Sequence, residues 1–277
     1  MDNAADSRAV NMRRPPGKYR RQEAATLPAV DSAVKSAKRV FDVLEFFEDL
    51  QRPASAMEVA TTLKFPLSST SALMRTMTGL GYLHYDPSRR DYTPTARISM
   101  LGHWLSPALF NHGRLLSLME DLAEKTNETI MIGLRNGLSA QYIHVIQARL
   151  PMRLHMKAGT LRPLARSGLG YALMSTYPER EVRRLVRKIN EHEPEAARKI
   201  NIKELLGELE RVREKGHAIS VNLVTPGAGV VAMTLPKIAG TDQPLALCVA
   251  GLTDALLAQE QELADLMARA ISFHLSE

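Results

Sequence analysis

The stretch FPLSSTSALMRTMTGLGYLHYDPSRRDYTPT, Phe65 to Thr95, decides how this chain reads. Phe65-Pro66 interrupts a helical pattern, because a proline ring pushes the residue before it out of the helical region. From about Leu67 to Leu80, Leu73, Met77 and Leu80 recur at i, i+4 and i+7, which marks one face of a helix. Gly79 and Gly81 end that helix. Tyr82, Leu83, His84 and Tyr85 then lead into a Pro-Ser turn and out again through Tyr92 and Thr93, a β-hairpin signal. The predicted helix carries Ser68, Ser69, Thr70, Ser71 and Arg75, and the hairpin is tipped by Arg89 and Arg90.

Upstream, SAVKSAKRVFDVLEFFED (32–49) places Val34, Ala37, Val40, Phe41, Leu44 and Phe47 on one helical face, and Pro53 closes it. Ser55 is placed to N-cap a second helix, AMEVATTLK, with Met57, Val59, Ala60 and Leu63 inward. Helix, helix, turn, helix, hairpin within about 65 residues reads as a winged helix-turn-helix. A helix entering a major groove needs one face to pack on its own domain, a small polar face for close approach, and donors for phosphates and base edges. Leu73, Met77 and Leu80 are expected to supply the first. Ser68, Ser69 and Ser71 supply the second, with hydroxyls and first-turn N–H groups suited to phosphate oxygens. Arg75 is the side chain able to make a bidentate contact to guanine, and Arg89 and Arg90 suit a wing on the backbone or minor groove. A plainer reading makes SSTS only an N-cap cluster. The two preceding helices and the hairpin tip the balance towards DNA.

The rest of the chain mixes strands and helices. Residues 1–30 have no periodicity; from Arg8 to Arg21 there are six Lys/Arg and no acid, the pattern of a disordered basic arm. Residues 95–125 read as helical with a break at Pro107, and Trp104 as an anchor in core or interface. TIMIGLRNGLSAQYIHVIQ (129–147) is two strands around Asn136-Gly137, a hairpin dipeptide. MRLHMK (152–157) reads as a further strand. A helix begins at the glycine-rich SGLGYALMSTY (167–177), followed by helices near 178–190 and 202–215. Strands are expected at 217–223, 230–235 and 244–250, and one last helix over 254–275. This order implies an α+β domain on one antiparallel sheet.

Apolar residues make up 45% of the 277, enough for a sizeable core. The longest apolar runs, such as LALCVAGL (245–252), are too short to span a bilayer, so no membrane partner is expected. The first residues have no apolar h-region, and the single cysteine, Cys248, cannot form an internal disulfide; both are consistent with a cytoplasmic protein. The formal charge of +6 points weakly to an anionic partner. No cofactor or metal is expected: GAGVVA (227–232) is followed by Pro236 and not by a helical stretch, and the histidines, His103 and His112 among them, show no ligand spacing.

On these residues the chain resembles the IclR family of bacterial transcriptional regulators. ASAMEVATTLKFPLSSTSALMRTMTGLGYLHYD looks like that family's DNA-binding domain. PLARSGLGYALMS, REKGHAIS, GAGVVAMTLP and QPLALCVAGL look like its effector-binding domain. The resemblance runs from about residue 33 to the end. It implies an α+β protein with a winged helix-turn-helix (31–95), a linker helix (96–106) with dimer contacts around Ile98 to Leu105, and a GAF-like α/β effector-binding domain (107–277). It also implies a homodimer or homotetramer on a palindromic double-stranded DNA operator. Relatives usually carry an arginine soon after the Ser-Thr pair, where this chain has Ala72; Arg75, one turn on, lies on a similar face.

The effector reading has a physical basis in RSGLG (166–170). Glycines opening a helix leave backbone N–H groups bare, and a carboxylate is favoured there by the helix dipole. Close helix–sheet packing at Gly168 and Gly170 is the competing reading, and the family resemblance favours a site. Candidate effector-binding residues are Leu154, Gly168, Leu169, Ser220, Val230, Cys248 and Ala250, with His155, Arg162 and Arg166 as second-rank cations. Relatives that bind small keto acids are more polar near Ser220, Val230, Cys248 and Ala250. The apolar set here implies a carboxylate with an apolar, aromatic body, a small keto acid being the alternative, and a role in the catabolism of an aromatic or other organic acid, as repressor or activator. The alternative is a hydrolase or transferase on the C-terminal domain. No nucleophile, base and orienting group stand together in the sequence to support it.

Overall fold

The computed structural model describes residues 34–102, 113–148, 156–237 and 243–275. The basic arm, Trp104, His103, His112, Leu154, His155 and the end of the predicted linker helix lie outside them. The described residues form two compact units divided between Thr95 and Ala96.

The first unit consists of helices α1 (Lys35–Leu50), α2 (Ala56–Leu63) and α3 (Leu67–Gly79) and the hairpin β1 (Leu83–Asp86) with β2 (Asp91–Pro94). Ser55 caps α2, its Oγ accepting from the Glu58 N–H at 3.2 Å. Lys64 takes a left-handed φ of 57° to end α2, and Pro66 starts α3. Val43, Phe46, Phe47, Val59, Met74, Met77, Leu83 and Tyr92 form the core. The phase of α3 differs from the sequence expectation. Its buried stripe is Thr70, Met74 and Met77, whereas Leu73 is half-buried and Leu80 is 57% exposed. Both stripes have i, i+4, i+7 spacing and share Met77, so periodicity alone could not choose between them. Phe41 and Met57 are also exposed, contrary to expectation.

The second unit has one six-stranded antiparallel sheet. Its strands are β3 (Thr129–Asn136), β4 (Ser139–Ile146), β5 (Leu161–Pro163), β6 (Ala218–Val221), β7 (Ala228–Thr234) and β8 (Ala246–Leu252), in the order β5-β4-β3-β8-β7-β6. Gly137, at φ +62°, makes the β3–β4 turn. Helices α4 (Arg97–Gly102) and α5 (Arg114–Thr126) precede the sheet. Helices α6 (Gly168–Ser175), α7 (Glu179–His192) and α8 (Ile202–Lys215) lie between β5 and β6. Helices α9 (Thr253–Ala258) and α10 (Glu260–Leu275) end the unit.

Strand alternation sorts the side chains into two layers. Ile130, Ile132, Val231, Leu247 and Val249 pack towards α5, α9 and α10. Met131, Tyr142, Ala232, Cys248 and Ala250 pack towards α6, α7 and α8. The expected helix over 254–275 is broken at Gln259, where φ is −119°. The strand expected at 152–157 is not seen in its described part, since Met156 and Lys157 are irregular; the edge of the sheet is instead the three-residue β5.

Candidate nucleic-acid interface and ligand cleft

On α3 Leu67 at the first position is exposed, and beyond it the exposed residues are Ser68, Ala72, Arg75, Thr76 and Gly79, a single stripe at i, i+4, i+7, i+8 and i+11. It lies opposite Thr70, Met74 and Met77, so the helix has one face for its own core and one for a partner. Ser69 and Ser71 flank the stripe, half-buried. Thr70 is 1% exposed and its hydroxyl donates to the Pro66 carbonyl at 3.0 Å, which removes it from the candidate contact residues. The N-cap is Pro66, and no side chain caps this helix. The Ser-Ser-Thr-Ser cluster is therefore not a capping device: Ser69 and Thr70 both donate to the Pro66 carbonyl. First-turn N–H groups without a side-chain cap are suited to phosphate oxygens.

Arg75 is exposed and makes no hydrogen bond or ion pair among the described residues. Arg89 and Arg90 are exposed in the β1–β2 turn, where Arg90 takes a left-handed φ of 57°. Asp86 pins that turn by accepting from the Ser88 hydroxyl at 2.6 Å and the Ser88 N–H at 2.8 Å. The Ser88 hydroxyl is the main reason its carboxyl is held below the ordinary aspartate value. Arg39 of α1 was not singled out in the sequence. Its Nη1 donates to Ser69 Oγ at 3.4 Å, and its guanidinium lies 4.8 Å from the centre of the Phe65 ring. The two residues it meets are 30 and 26 positions away, so no local pattern could have flagged it.

In the second unit a narrow cleft, with a cavity volume of about 40 Å³, opens beside the start of α6. Gly168, Ser220, Val230 and Ala250 line it, together with Met131, Tyr142, Met156 and Arg162. The segment from Leu223 to Thr225 covers one side. That segment is a tight loop: Asn222 sits at φ 58° and its side-chain carbonyl accepts the Gly227 N–H at 2.7 Å.

The head-group expectation needs correction. The Gly168 N–H is not bare: it donates to Ser220 Oγ at 2.9 Å. The Gly170 N–H donates to Ser167 Oγ at 3.1 Å. A Cβ on Gly168 would come within 2.7 Å of Ser220 Oγ, and one on Gly170 within 1.8 Å of the Leu164 carbonyl oxygen. Both glycines thus permit close packing, the reading first set second. Leu169 and Cys248 are fully buried and do not line the cleft. Leu169 points at Gly133, where a Cβ would meet its Cδ2 at 2.4 Å. Cys248 lies in the central strand under α6, and burial pushes its thiol far above the ordinary value, so it is no nucleophile. Arg166 turns away and donates to the Arg198 carbonyl. Arg162, by contrast, lies in the cleft, half-buried on the edge strand opposite Ala140.

Comparison with known proteins agrees with both halves of this geometry. Residues 36–87 match the IclR helix-turn-helix domain, and residues 114–273 match the family described as bacterial transcriptional regulator IclR C-terminal. The HTH-type transcriptional regulator KdgR of Escherichia coli K12 is 27% identical over 197 residues, which is 70% of this chain and 73% of that protein. KdgR of Dickeya chrysanthemi is 26% identical over 70% of this chain and 63% of its own length. The HTH-type transcriptional repressor AllR of E. coli K12 is 24% identical over 75% of this chain and 77% of its own. Among solved structures, the IclR of Thermotoga maritima covers 88% of the chain and is itself 99% covered, at a TM-score of 0.61 and 18% identity. The IclR effector domain from Acinetobacter sp. ADP1 covers 62% of the chain and is wholly covered, at 0.56 and 25%. A helix-turn-helix with a free polar stripe, joined in one chain to an effector-domain sheet and matched in both parts, places this chain in the IclR family of bacterial transcriptional regulators.

Proposed function

We propose that this protein is an effector-responsive transcriptional regulator of organic-acid catabolism. It binds a palindromic operator as a homodimer or homotetramer and changes its affinity when a small acid with an apolar, aromatic body enters the cleft beside α6. The observation that carries this reading is the cleft itself. A narrow cleft with partly apolar walls lies in one unit of a chain whose other unit presents a DNA-facing helix. Its walls at Met131, Val230 and Ala250 are apolar, which suits an aromatic body, while Arg162, Ser167, Ser220 and Thr225 supply polar groups. Among the described residues no histidine or carboxylate lines the cleft to activate the Ser167 or Ser220 hydroxyl, which supports binding over turnover.

The DNA contacts assigned to this function are Ser68, Ser69, Ser71 and Arg75 on α3 and Arg89 and Arg90 on the wing. Selection from a random DNA pool by the full chain should enrich inverted repeats whose half-sites are about 10 base pairs apart, or a multiple of that. Enrichment of a single unrepeated half-site, with a light-scattering mass near 30.7 kDa, defeats the oligomeric reading. Benzoate-type acids should shift affinity for the selected DNA by about fivefold or more, an ordinary allosteric coupling. Ala228→Phe, which fills the cleft from the half-exposed start of β7, should remove that response. A response to pyruvate or glyoxylate alone defeats the aromatic assignment.

A further inference from the structure

Resting on that cleft reading, we propose that the effector is a monocarboxylate whose charged group is held by the side chain of Arg162, not by the amino end of α6. The backbone site is already served. Of the first three N–H groups of α6, that of Gly168 is bonded to Ser220 and that of Gly170 to Ser167. A carboxylate arriving there would have to displace one of the protein's own hydroxyls.

Arg162 is in the opposite condition. It is half-buried, it lines the cleft, and no carboxylate lies within ion-pair distance of it among the described residues. Its contacts are the Met156 sulfur at 3.4 Å, the Tyr142 ring, whose centre is 5.9 Å from the guanidinium carbon, and a side-chain hydrogen bond to the Tyr142 phenol. A thioether is a weak acceptor and the phenol oxygen engages one donor, so several of the five guanidinium donors remain unspent. A planar fork of this kind matches a carboxylate with two parallel bonds. Tyr142 stands beside it. Burial pushes its phenol well above the ordinary tyrosine value, the nearby Arg162 charge pulling the other way, so the neutral phenol faces the ligand.

The lining also sets the charge. Among the described residues it contains one cationic and no acidic side chain. One carboxylate neutralises Arg162. A second would find no second cation among the described lining residues, only hydroxyls such as those of Ser167, Ser220 and Thr225, and a buried charge without an ion partner is disfavoured. The sulfurs of Met131 and Met156 on the walls suit an aromatic ring held edge or face against them.

Titration calorimetry on the full-length chain with benzoate, cinnamate, benzamide and phthalate tests this. Benzoate or cinnamate should bind at least about tenfold more tightly than benzamide or phthalate, because only the mono-acids satisfy the guanidinium without stranding a charge. Arg162→Gln should weaken the mono-acids by roughly 10- to 150-fold, the value of a charged hydrogen-bond pair, and leave benzamide within about threefold. Arg162→Lys, which keeps the charge, should recover part of the loss. If Arg162→Gln fails to fold, the acid-to-amide preference of the natural chain decides alone. Mono-acid binding that survives Arg162→Gln but is lost in Ala228→Phe overturns the Arg162 anchor and leaves the cleft standing. Binding untouched by Ala228→Phe overturns the cleft and the anchor together. Phthalate binding as tight as benzoate, or no binding by either mono-acid, overturns the monocarboxylate assignment.

Discussion

Arg75→Ala separates reading DNA from holding it. Arg75 occupies the middle of the exposed α3 stripe, flanked by Ala72 and Gly79, whose small size lets the helix come close to base edges. Since its side chain bonds to nothing else among the described residues, its removal should change folding stability by no more than about 0.5 kcal/mol. On operator DNA the loss is larger. A bidentate contact to guanine is worth about 1–3 kcal/mol of discrimination, or roughly 5- to 150-fold. Fluorescence anisotropy on the selected operator and on its single-base variants, at two salt concentrations, measures both quantities. The expected result is a large loss on the cognate site, a relaxed preference at one base pair and a nearly unchanged salt slope. A loss equal on all sequences with a shallower slope would make Arg75 a phosphate contact, and unchanged affinity would remove it from the interface. Thr70→Ala is the contrasting variant. Thr70 is buried and bonded to the Pro66 carbonyl, so it should lower the unfolding free energy by about 1 kcal/mol and leave base preference alone.

Arg89→Ala and Arg90→Ala should each weaken specific and non-specific DNA alike and flatten the salt slope by about 0.9, which competition against random DNA at several salt concentrations reads directly. Cys248 should resist a thiol reagent in the folded protein and react only as the chain unfolds, because burial disfavours its thiolate; rapid labelling without denaturant contradicts its placement. Glu260 accepts from the His217 ring at 3.0 Å and from Lys215 Nζ at 3.0 Å, and the His217 bond is the main cause of its lowered pKa. Its contribution to stability is therefore complete above the ordinary glutamate value of about 4.3 and is lost as pH falls through its lower folded value. Urea melts between pH 6 and 3 should show Glu260→Gln losing part of that acid dependence, and an unchanged acid limb would contradict it.

Much of the first unit was legible because its signals are local. Ser55 capping α2, Phe65-Pro66 separating α2 from α3, and the turn after Tyr85 each act within a few residues. The phase of α3 was not legible. Leu73 and Met74 are neighbours, both apolar, and each starts a regular stripe through Met77 or beyond. The choice was made by the packing of α2 and β1 on α3, within a core that Phe46 and Phe47 of α1 share with Met74 and Met77. Exposed Leu80 and buried Thr70 then follow from the same rotation, and with them the loss of Thr70 from the interface. The sheet was legible as alternation, while its shortest strand was not: Leu161–Pro163 is too brief to show a period, and the longer-looking MRLHMK drew attention instead.

The ligand cleft shows the same division more sharply. That a helix begins at Gly168 is a local fact, and so is the scarcity of side chains there. Whether its N–H groups are free depends on Ser220, which is 52 residues away and reaches Gly168 only because α6 lies across β6 and β7. Gly168 is what permits that approach, since a Cβ would meet Ser220 Oγ at 2.7 Å. The two readings of the glycine, packing and anion binding, are therefore not independent. The closeness that glycine allows is what brings a hydroxyl onto the N–H and moves the search for an anion's partner elsewhere. Arg162 gains its weight only at that point. In the sequence it stood with His155 and Arg166 as a second-rank cation near the same turn, with nothing to rank it above them. In the fold it is the cation on the cleft wall among the described residues, and the ligand's charge has to be judged against it.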